Sequence, residues 1–191
     1  MEISSIIFWA VLIGLGLYVV AAYNGLVKLK HGVSRAWSNI DVLMKQRHDE
    51  LPKLVETCKQ YMEYEKDVLE RVTKARTAVA EARMAGDLGA LGAAETEMRI
   101  GLGNLFAVAE NYPELKANET FQHLQQRIST LESQISDRRV FYNDTVNANN
   151  IRVEQFPDMI VARLFGFGLR DLLEFSDAEK ADVNVKELFN S

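Results

Sequence analysis

The longest apolar stretch lies at the amino end, where no charged side chain occurs from Ile3 through Val27. A helix needs about 20 apolar residues to cross a bilayer core that is roughly 30 Å thick. We therefore predict a transmembrane anchor over residues 3–23 and a short external segment at residues 1–2. A secretory signal begins with basic residues, whereas the two residues before this span, Met1 and Glu2, include none. Cleavage after Ala22 is the alternative to a retained signal anchor.

Basic residues flank only one end of this span. Lys28, Lys30 and Arg35 follow it, whereas the terminal amine and Glu2 precede it. Because basic residues stay on the cytoplasmic side, we expect a single-pass protein of the cytoplasmic membrane, with its amino terminus outside and its domain in the cytoplasm. Ala10 and Gly14 form a small-xxx-small pair that would let two spans approach closely.

Charge and cysteine content exclude some classes of protein. The chain has 22 basic and 27 acidic residues, a net charge of −5 at pH 7. Proteins that bind nucleic acid concentrate positive charge, so we expect no nucleic-acid partner. One cysteine excludes an internal disulfide framework and a Cys-rich zinc site. Cys58 occupies an apolar helical position, which predicts a buried, inert thiol.

Apolar residues recur at helical spacing after the span, and no run alternates as a strand would. We predict an all-α fold in which the anchor is followed by an elongated up-and-down bundle of three to four long helices over residues 24–156. Pro52 either ends the first helix or kinks it. Asp87 is predicted to cap a helix, and Pro113 and Asn118 to precede the last long one. One predicted seam comprises Leu54, Cys58, Tyr61, Glu65, Val68, Val72, Ala75, Val79 and Ala82.

The character of the chain changes in the carboxyl-terminal segment, residues 157–191. An apolar stretch containing Gly166 and Gly168 leads into an acidic tail. This composition predicts a short helix and a tail. The segment either folds back over the bundle or is an amphipathic element that awaits a membrane or a partner.

Polar residues stand at seam positions where apolar ones are expected. Glu65, Glu95 and Arg138 would each be costly to bury alone, so we predict that they either pair across helices, with Arg138 or Arg139 meeting a carboxylate, or lie near the ends of the bundle in water. The sequence RRVFYNDTVNANN, residues 138–150, is dense in amides that need hydrogen-bond partners. It is either an interhelical polar network, with Ser38, Asn39 and Asp41, or a docking surface. The candidate residues of this network or partner site are Trp37, Asp41, Arg138, Arg139, Tyr142, Asn143, Asn147 and Asn150.

Chemistry-bearing motifs are missing from the sequence. His31, His48 and His123 are scattered, and no pair of them has metal-ligand spacing. The Gly-x-Gly steps at Gly14 and Gly101 do not follow a strand, so neither matches a phosphate loop. We therefore predict no cofactor, no metal and no enzymatic activity.

Four blocks of the chain, in order, resemble the LemA family of bacterial membrane proteins. The blocks are YNGLVKLKHGVSRAWSNIDVLMKQRHDELPKLVE, AVAENYPELKAN, RRVFYNDTVNANN and the closing FP with VARLFGF after it. The resemblance implies a helical-bundle domain at the inner face of the cytoplasmic membrane. Some members of the family are associated with membrane shaping in organelle-forming bacteria, and others are encoded beside membrane proteases.

Two non-catalytic functions fit these features. The first is a homo-oligomeric scaffold that organises or shapes the membrane. The second is an adaptor that presents residues 138–150 or the tail to another inner-membrane protein, such as a protease or a sensor. Anchoring favours both, because confinement raises the effective concentration of a partner.

Overall fold

The computed structural model describes residues 3–174, and this part of the chain is helical without strands. The all-α prediction is therefore confirmed for these residues. The external segment and the acidic tail lie outside the described residues. The helices are α1 (Ile3–Lys59), α2 (Lys66–Ala85), α3 (Leu88–Ala109), α4 (Pro113–Lys116), α5 (Glu119–Glu154) and α6 (Asp158–Leu164).

The described residues form two compact units, and both α1 and α5 contribute to each of them. Unit 1 combines the chain up to Asp41 with Arg138–Leu172. Unit 2 combines Val42–Asp137 with Leu173 and Glu174.

In unit 1, the first part of α1 packs antiparallel to the last part of α5. The rings of Trp37 and Tyr142 lie 5.7 Å apart. Farther towards the amino end of α1, Gly32 faces Thr145. Contacts nearer the amino end of α1 therefore lie nearer the carboxyl end of α5, as they do in an antiparallel pair.

The amino-terminal end of α1 stands free of the rest of unit 1. Every residue from Ile3 to Leu17 is exposed, although almost all are apolar. Within residues 3–174, α1 is the one helix that is long and apolar enough to cross a membrane. The protein thus leaves most of the predicted anchor uncovered, from Ile3 to Leu17, whereas Ala22 near its end is buried.

Unit 2 is a bundle of four helical segments that alternate in direction. Arg127 on α5 pairs with Glu50 at 3.0 Å, and Glu132 on the same helix pairs with Arg47 nearer the start of α1. A short turn at Gly86 reverses the chain between α2 and α3. The up-and-down arrangement is therefore confirmed within this unit. Its buried apolar residues include Met44, Leu51, Leu54, Cys58, Leu69, Val72, Val79, Leu91, Met98, Leu105, Phe121, Ile128 and Ile135.

The starts of α3 and α5 lie where the sequence predicted them. The Asp87 carboxylate accepts a hydrogen bond from the Ala90 amide at 2.9 Å, as predicted. Gly86, just before it, has a φ of 69°, which glycine adopts without strain. Asn118 accepts a hydrogen bond from the Phe121 amide at the start of α5.

Pro52 does not end α1, which continues to Lys59. The break comes later, at residues 60–65, which contain neither glycine nor proline. The predicted seam is therefore wrong in this stretch, where Met62 is buried in place of Tyr61. After the break, Leu69 is buried in place of Val68, because α2 restarts the helical period.

Two glycines of α3 provide a test of whether residues 173–174 pack on this helix. A Cβ at Gly92 would come within 2.6 Å of the Glu174 carbonyl oxygen, whereas a Cβ at Gly103 would meet nothing within 4 Å. Alanine in a helix interior is favoured over glycine by about 1 kcal/mol. We expect Gly103→Ala to raise the thermal unfolding temperature and Gly92→Ala to lower it, because Glu174 and the buried Leu173 must shift. Circular dichroism of the full chain in detergent measures both; equal stabilisation would contradict the packing of residues 173–174 on α3.

Candidate functional site

A buried ion-pair cluster joins three segments of unit 2. The Arg47 side chain on α1 is only 1% exposed and donates to both Glu95 on α3 and Glu132 on α5. The Glu95 side chain is 5% exposed, whereas that of Glu132 is 20% exposed. The predicted cross-helix pairing of Glu95 is therefore confirmed.

Arg47 is the member of this cluster that sequence reasoning missed. Its spacing carried the signal, because Arg47 lies three residues after Met44 and four before Leu51 on the buried stripe of α1. Burial alone would lower the pKa of Arg47, but the carboxylates of Glu95 and Glu132 outweigh burial and raise it. A guanidinium held in this way stays charged and cannot exchange a proton with a substrate. The cluster is suited to fixing the register of the bundle.

Glu65 and Arg138, the other two charged residues predicted on seams, are not buried. Glu65 lies in the connection before α2 and accepts a long hydrogen bond, 3.5 Å, from the Tyr112 hydroxyl. Arg138 is exposed, and its neighbour Arg139 is 4% exposed. The seam of α5 therefore passes through Arg139, which corrects the predicted position.

His48 contacts a cation and not a metal site. Its carbonyl accepts from Arg76 Nε at 3.0 Å, and its ring Nε2 lies 2.8 Å from Arg76 Nη2. Burial and the Arg76 charge lower the pKa of His48, which favours the neutral ring. Among residues 3–174, no group of three or more His, Cys, Asp and Glu side chains is placed to hold a metal ion.

The region at residues 138–150 binds a later segment of the same chain. The Tyr142 hydroxyl donates to the Asp171 carbonyl at 3.0 Å, while its ring packs on Trp37. The Asn150 amide donates to the Arg170 carbonyl and accepts from the Arg170 amide, both at 2.9 Å. One asparagine side chain thus pairs with a backbone as a neighbouring strand would.

Asn149 adds a contact that the sequence analysis did not single out. It is 2% exposed and donates to the Gly168 carbonyl at 3.4 Å. Its position seven residues after Tyr142, on the same stripe, was the available signal. Ser38, one predicted partner of the region, instead donates to the Ser34 carbonyl of its own helix.

The remaining predicted site residues divide by exposure. Asn147 is exposed, whereas Asp41 and Asn143 are half-buried. Asp41, Arg139 and Asn143 each have an interaction partner. The structure thus brings Trp37, Tyr142 and Asn150 to one stretch of unit 1, and it leaves Arg138 and Asn147 facing outward.

A second polar cluster in unit 1 holds α6 against the end of the apolar stretch. Asp158, 4% exposed, accepts from the Tyr18 hydroxyl at 2.8 Å. Arg152 Nε lies 2.8 Å from Asp158 Oδ2. The site residues predicted from the sequence include none of these three. The described part of the carboxyl-terminal segment therefore folds back on the helices, as one of the two predictions had it.

Comparison with known proteins agrees with the resemblance seen in the sequence. The model of the LemA family matches residues 36–186. Protein LemA of Metamycoplasma hominis is 26% identical over 188 residues, which cover 97% of this chain and 84% of that protein.

Two further relatives are magnetosome proteins. Magnetosome protein MamQ 2 of Paramagnetospirillum magneticum is 24% identical over 190 residues, which cover 87% of this chain and 70% of that protein. Magnetosome protein MamQ of Magnetospirillum gryphiswaldense is 21% identical over 192 residues with the same coverage. Because the family model matches well over half of the chain, this helical protein belongs to the LemA family.

Proposed function

We propose that the protein is a membrane-anchored, non-catalytic helical scaffold that self-associates and organises or shapes the cytoplasmic membrane, with its domain on the cytoplasmic side. The observation that carries this proposal is the continuity of α1 within unit 1. The exposed apolar segment from Ile3 to Leu17 and the buried stripe at Ala22, Leu26 and Val33 belong to one unbroken helix.

An unbroken helix couples a membrane span to its domain differently from a flexible tether. A Gly/Ser-rich linker would let the domain rotate freely. Here α1 packs on α5 at Trp37 and on α6 at Tyr18, so unit 1 is fixed to the helix that enters the bilayer. Forces between copies of the domain would then act on the orientation of the spans. The magnetosome names of the MamQ relatives support a role of this kind.

Unit 2 offers a surface suited to self-association, which we call the α2–α3 groove. Small apolar residues of both helices line it, among them Ala78, Ala90 and Ala93, and its volume is about 740 Å³. Ion pairs line the rim, among them Arg71 with Glu97 at 2.9 Å. Both signs of charge are therefore present on one surface, which suits a two-fold contact between identical copies.

The test is the mass of the full-length protein in mild detergent, measured by light scattering and corrected for bound detergent. We expect a defined oligomer. Ala93→Glu should lower its mass, because a longer charged side chain enters the α2–α3 groove. Ala148→Glu, at an exposed position of α5, is the matched control and should leave the mass unchanged. Helical circular dichroism should be the same for both variants.

A monomer at every concentration, together with unchanged liposome shape, would contradict the scaffold. That result would favour the second candidate, the adaptor for another membrane protein. The observation behind the adaptor is the exposure of Val140 and Phe141, 50% and 53%, beside the exposed Arg138. The side chains of these residues remain exposed, although Tyr142 and Asn150 in the same region contact residues 170 and 171 of the chain.

A further inference from the structure

The outer face of α6 and its flanks is strongly apolar and uncovered. We propose that this surface, formed by Phe156, Ile160, Leu164 and Phe165, inserts into the lipid interface beside the transmembrane span. The inference rests on the membrane anchorage in the proposed function, and it is independent of self-association.

The α6 helix is held against the end of the apolar stretch of α1. Val161 and Ala162 of α6 form one buried cluster with Ala22 and Leu26 of α1. Tyr23, on the same stretch of α1, packs edge-on against Phe165 with ring centroids 4.9 Å apart. These α1 residues precede Lys28, the first charge after the apolar stretch. The α6 helix therefore lies against the carboxyl-terminal end of the predicted span.

The length of α1 before its contacts with α6 sets the depth of α6 relative to the bilayer. With a rise of 1.5 Å per residue, the 20 residues from Ile3 extend about 30 Å and reach Ala22, which matches the hydrocarbon thickness of a bilayer. Residues of α1 on both sides of Ala22 contact α6. Tyr18, before Ala22, donates a hydrogen bond to Asp158, and Leu26, after Ala22, packs in one buried cluster with Val161 and Ala162. This places α6 at the level where hydrocarbon gives way to headgroups.

Large apolar side chains on α6 and its flanks are exposed. Phe156 and Leu164 are each 74% exposed, Ile160 is 58% exposed and Phe165 is 50% exposed. A short surface helix in water presents mainly polar residues outward, whereas α6 buries Val161 and Ala162 and also exposes Ile160 and Leu164, with Arg163 as its exposed charged residue. Contiguous apolar surface of this kind marks a contact with lipid or protein. Its continuity with the span favours lipid.

Charges around α6 suit a headgroup layer. The acidic side chain of α6, Asp158, turns inward to Arg152 and Tyr18, so it does not face lipid. Arg163 on α6 is exposed, and so are Lys28 and Lys30 just beyond the apolar stretch of α1. Basic residues at this level favour contact with anionic headgroups.

The test places a fluorescent probe on α6 in the full chain. Leu164→Cys is labelled with the environment-sensitive dye NBD and reconstituted at low protein density in phosphatidylcholine–phosphatidylglycerol vesicles. The native Cys58 does not interfere, because it is fully buried and burial raises its pKa to about 12. Phe141→Cys is the matched control: it is half-exposed on the same unit, next to the Tyr142 that packs on Trp37. Phe156→Cys provides a second probe on the α6 surface.

We expect the α6 probes to emit at shorter wavelength and to be quenched several-fold more by nitroxides on the lipid headgroup or upper acyl chain than the Phe141 probe. Aqueous iodide should quench in the opposite order. Equal iodide quenching at all sites in vesicle-bound protein would overturn the inference while leaving the anchorage intact. A blue-shifted α6 probe that lipid nitroxides do not quench would mean that protein covers the surface, and would also overturn it. Failure of the chain to float with vesicles would contradict the anchorage and the inference together.

Discussion

Replacing Arg47 with methionine is expected to destabilise the protein by about 3–5 kcal/mol, because the change strands a buried carboxylate. Glu95 is 6% exposed and would lose its cationic partner, whereas Glu132 is more exposed and keeps partial access to water. Because methionine fills a volume similar to that of the arginine side chain, the loss of stability reflects the missing charge and not a new cavity. Urea unfolding of the full chain in detergent, followed by circular dichroism, measures the effect.

Two further variants separate the buried pair from ion pairs in general. Arg71→Met removes an exposed pair with Glu97 and should cost at most about 1 kcal/mol. Adding Glu95→Leu to Arg47→Met removes the stranded charge and should recover most of the lost stability, since hydrophobic replacement of a buried pair is often neutral. If Arg47→Met lowered the unfolding free energy no more than Arg71→Met does, the ion-pair cluster would not fix the register of the bundle as its burial indicates.

The sequence predicted the elements whose signals are local. The apolar run at Ile3 marks the span, and Asp87 marks a helix start through a side chain that bonds its own first turn. Apolar periodicity predicted three to four long helices without strands. These features depend on residues a few positions apart, which sequence patterns report well.

Features that depend on distant residues were harder to predict. The break at residues 60–65 has no glycine or proline, and it begins where the Tyr61 and Met62 amides both donate to the Cys58 carbonyl. Glu95 was recognised as needing a partner, but its partner, Arg47, lies 48 residues away. Only packing brings the two together, so spacing alone could not pair them.

The seam of α5 shows why Arg138 was placed wrongly. Buried residues advance by alternating steps of three and four as far as Ile135, and the step of four that ends there is followed by another step of four, to Arg139 and not to Arg138. A helix turns once per 3.6 residues, so a strict seven-residue repeat drifts and must be corrected by such a step. The next step of three returns the seam to Tyr142 as predicted.

Changing Tyr142 to alanine is expected to destabilise the protein by about 3–5 kcal/mol, the usual cost of removing a buried aromatic ring. The ring is 4% exposed and packs on Trp37. Tyr142→Phe keeps this packing and loses only the hydrogen bond to the Asp171 carbonyl, so it should cost about 1 kcal/mol. Phe141→Ala, at the adjacent half-exposed aromatic, is the matched control and should cost far less. Thermal and urea unfolding measure all three.

Alkaline pH offers an independent test of the same side chain. Burial, followed by the nearby Asp171 carboxylate, raises the pKa of Tyr142. Above a pH of about 10 the unfolded chain releases this proton while the folded chain holds it, so stability falls as pH rises. Tyr142→Phe should reduce that alkaline slope. An unchanged slope would contradict burial of the hydroxyl.

The fate of Tyr142 also decides how residues 138–150 should be interpreted. If this region were chiefly a docking surface, Tyr142→Ala would abolish a partner contact and leave the unfolding free energy unchanged. The structure instead commits Tyr142 and Asn150 to residues 170 and 171 of the same chain. Those residues follow α6 closely, so loss of Tyr142 should also loosen the α6 surface and weaken lipid quenching of a probe at Leu164. Destabilisation without that weakening would separate the fold of unit 1 from its contact with the membrane.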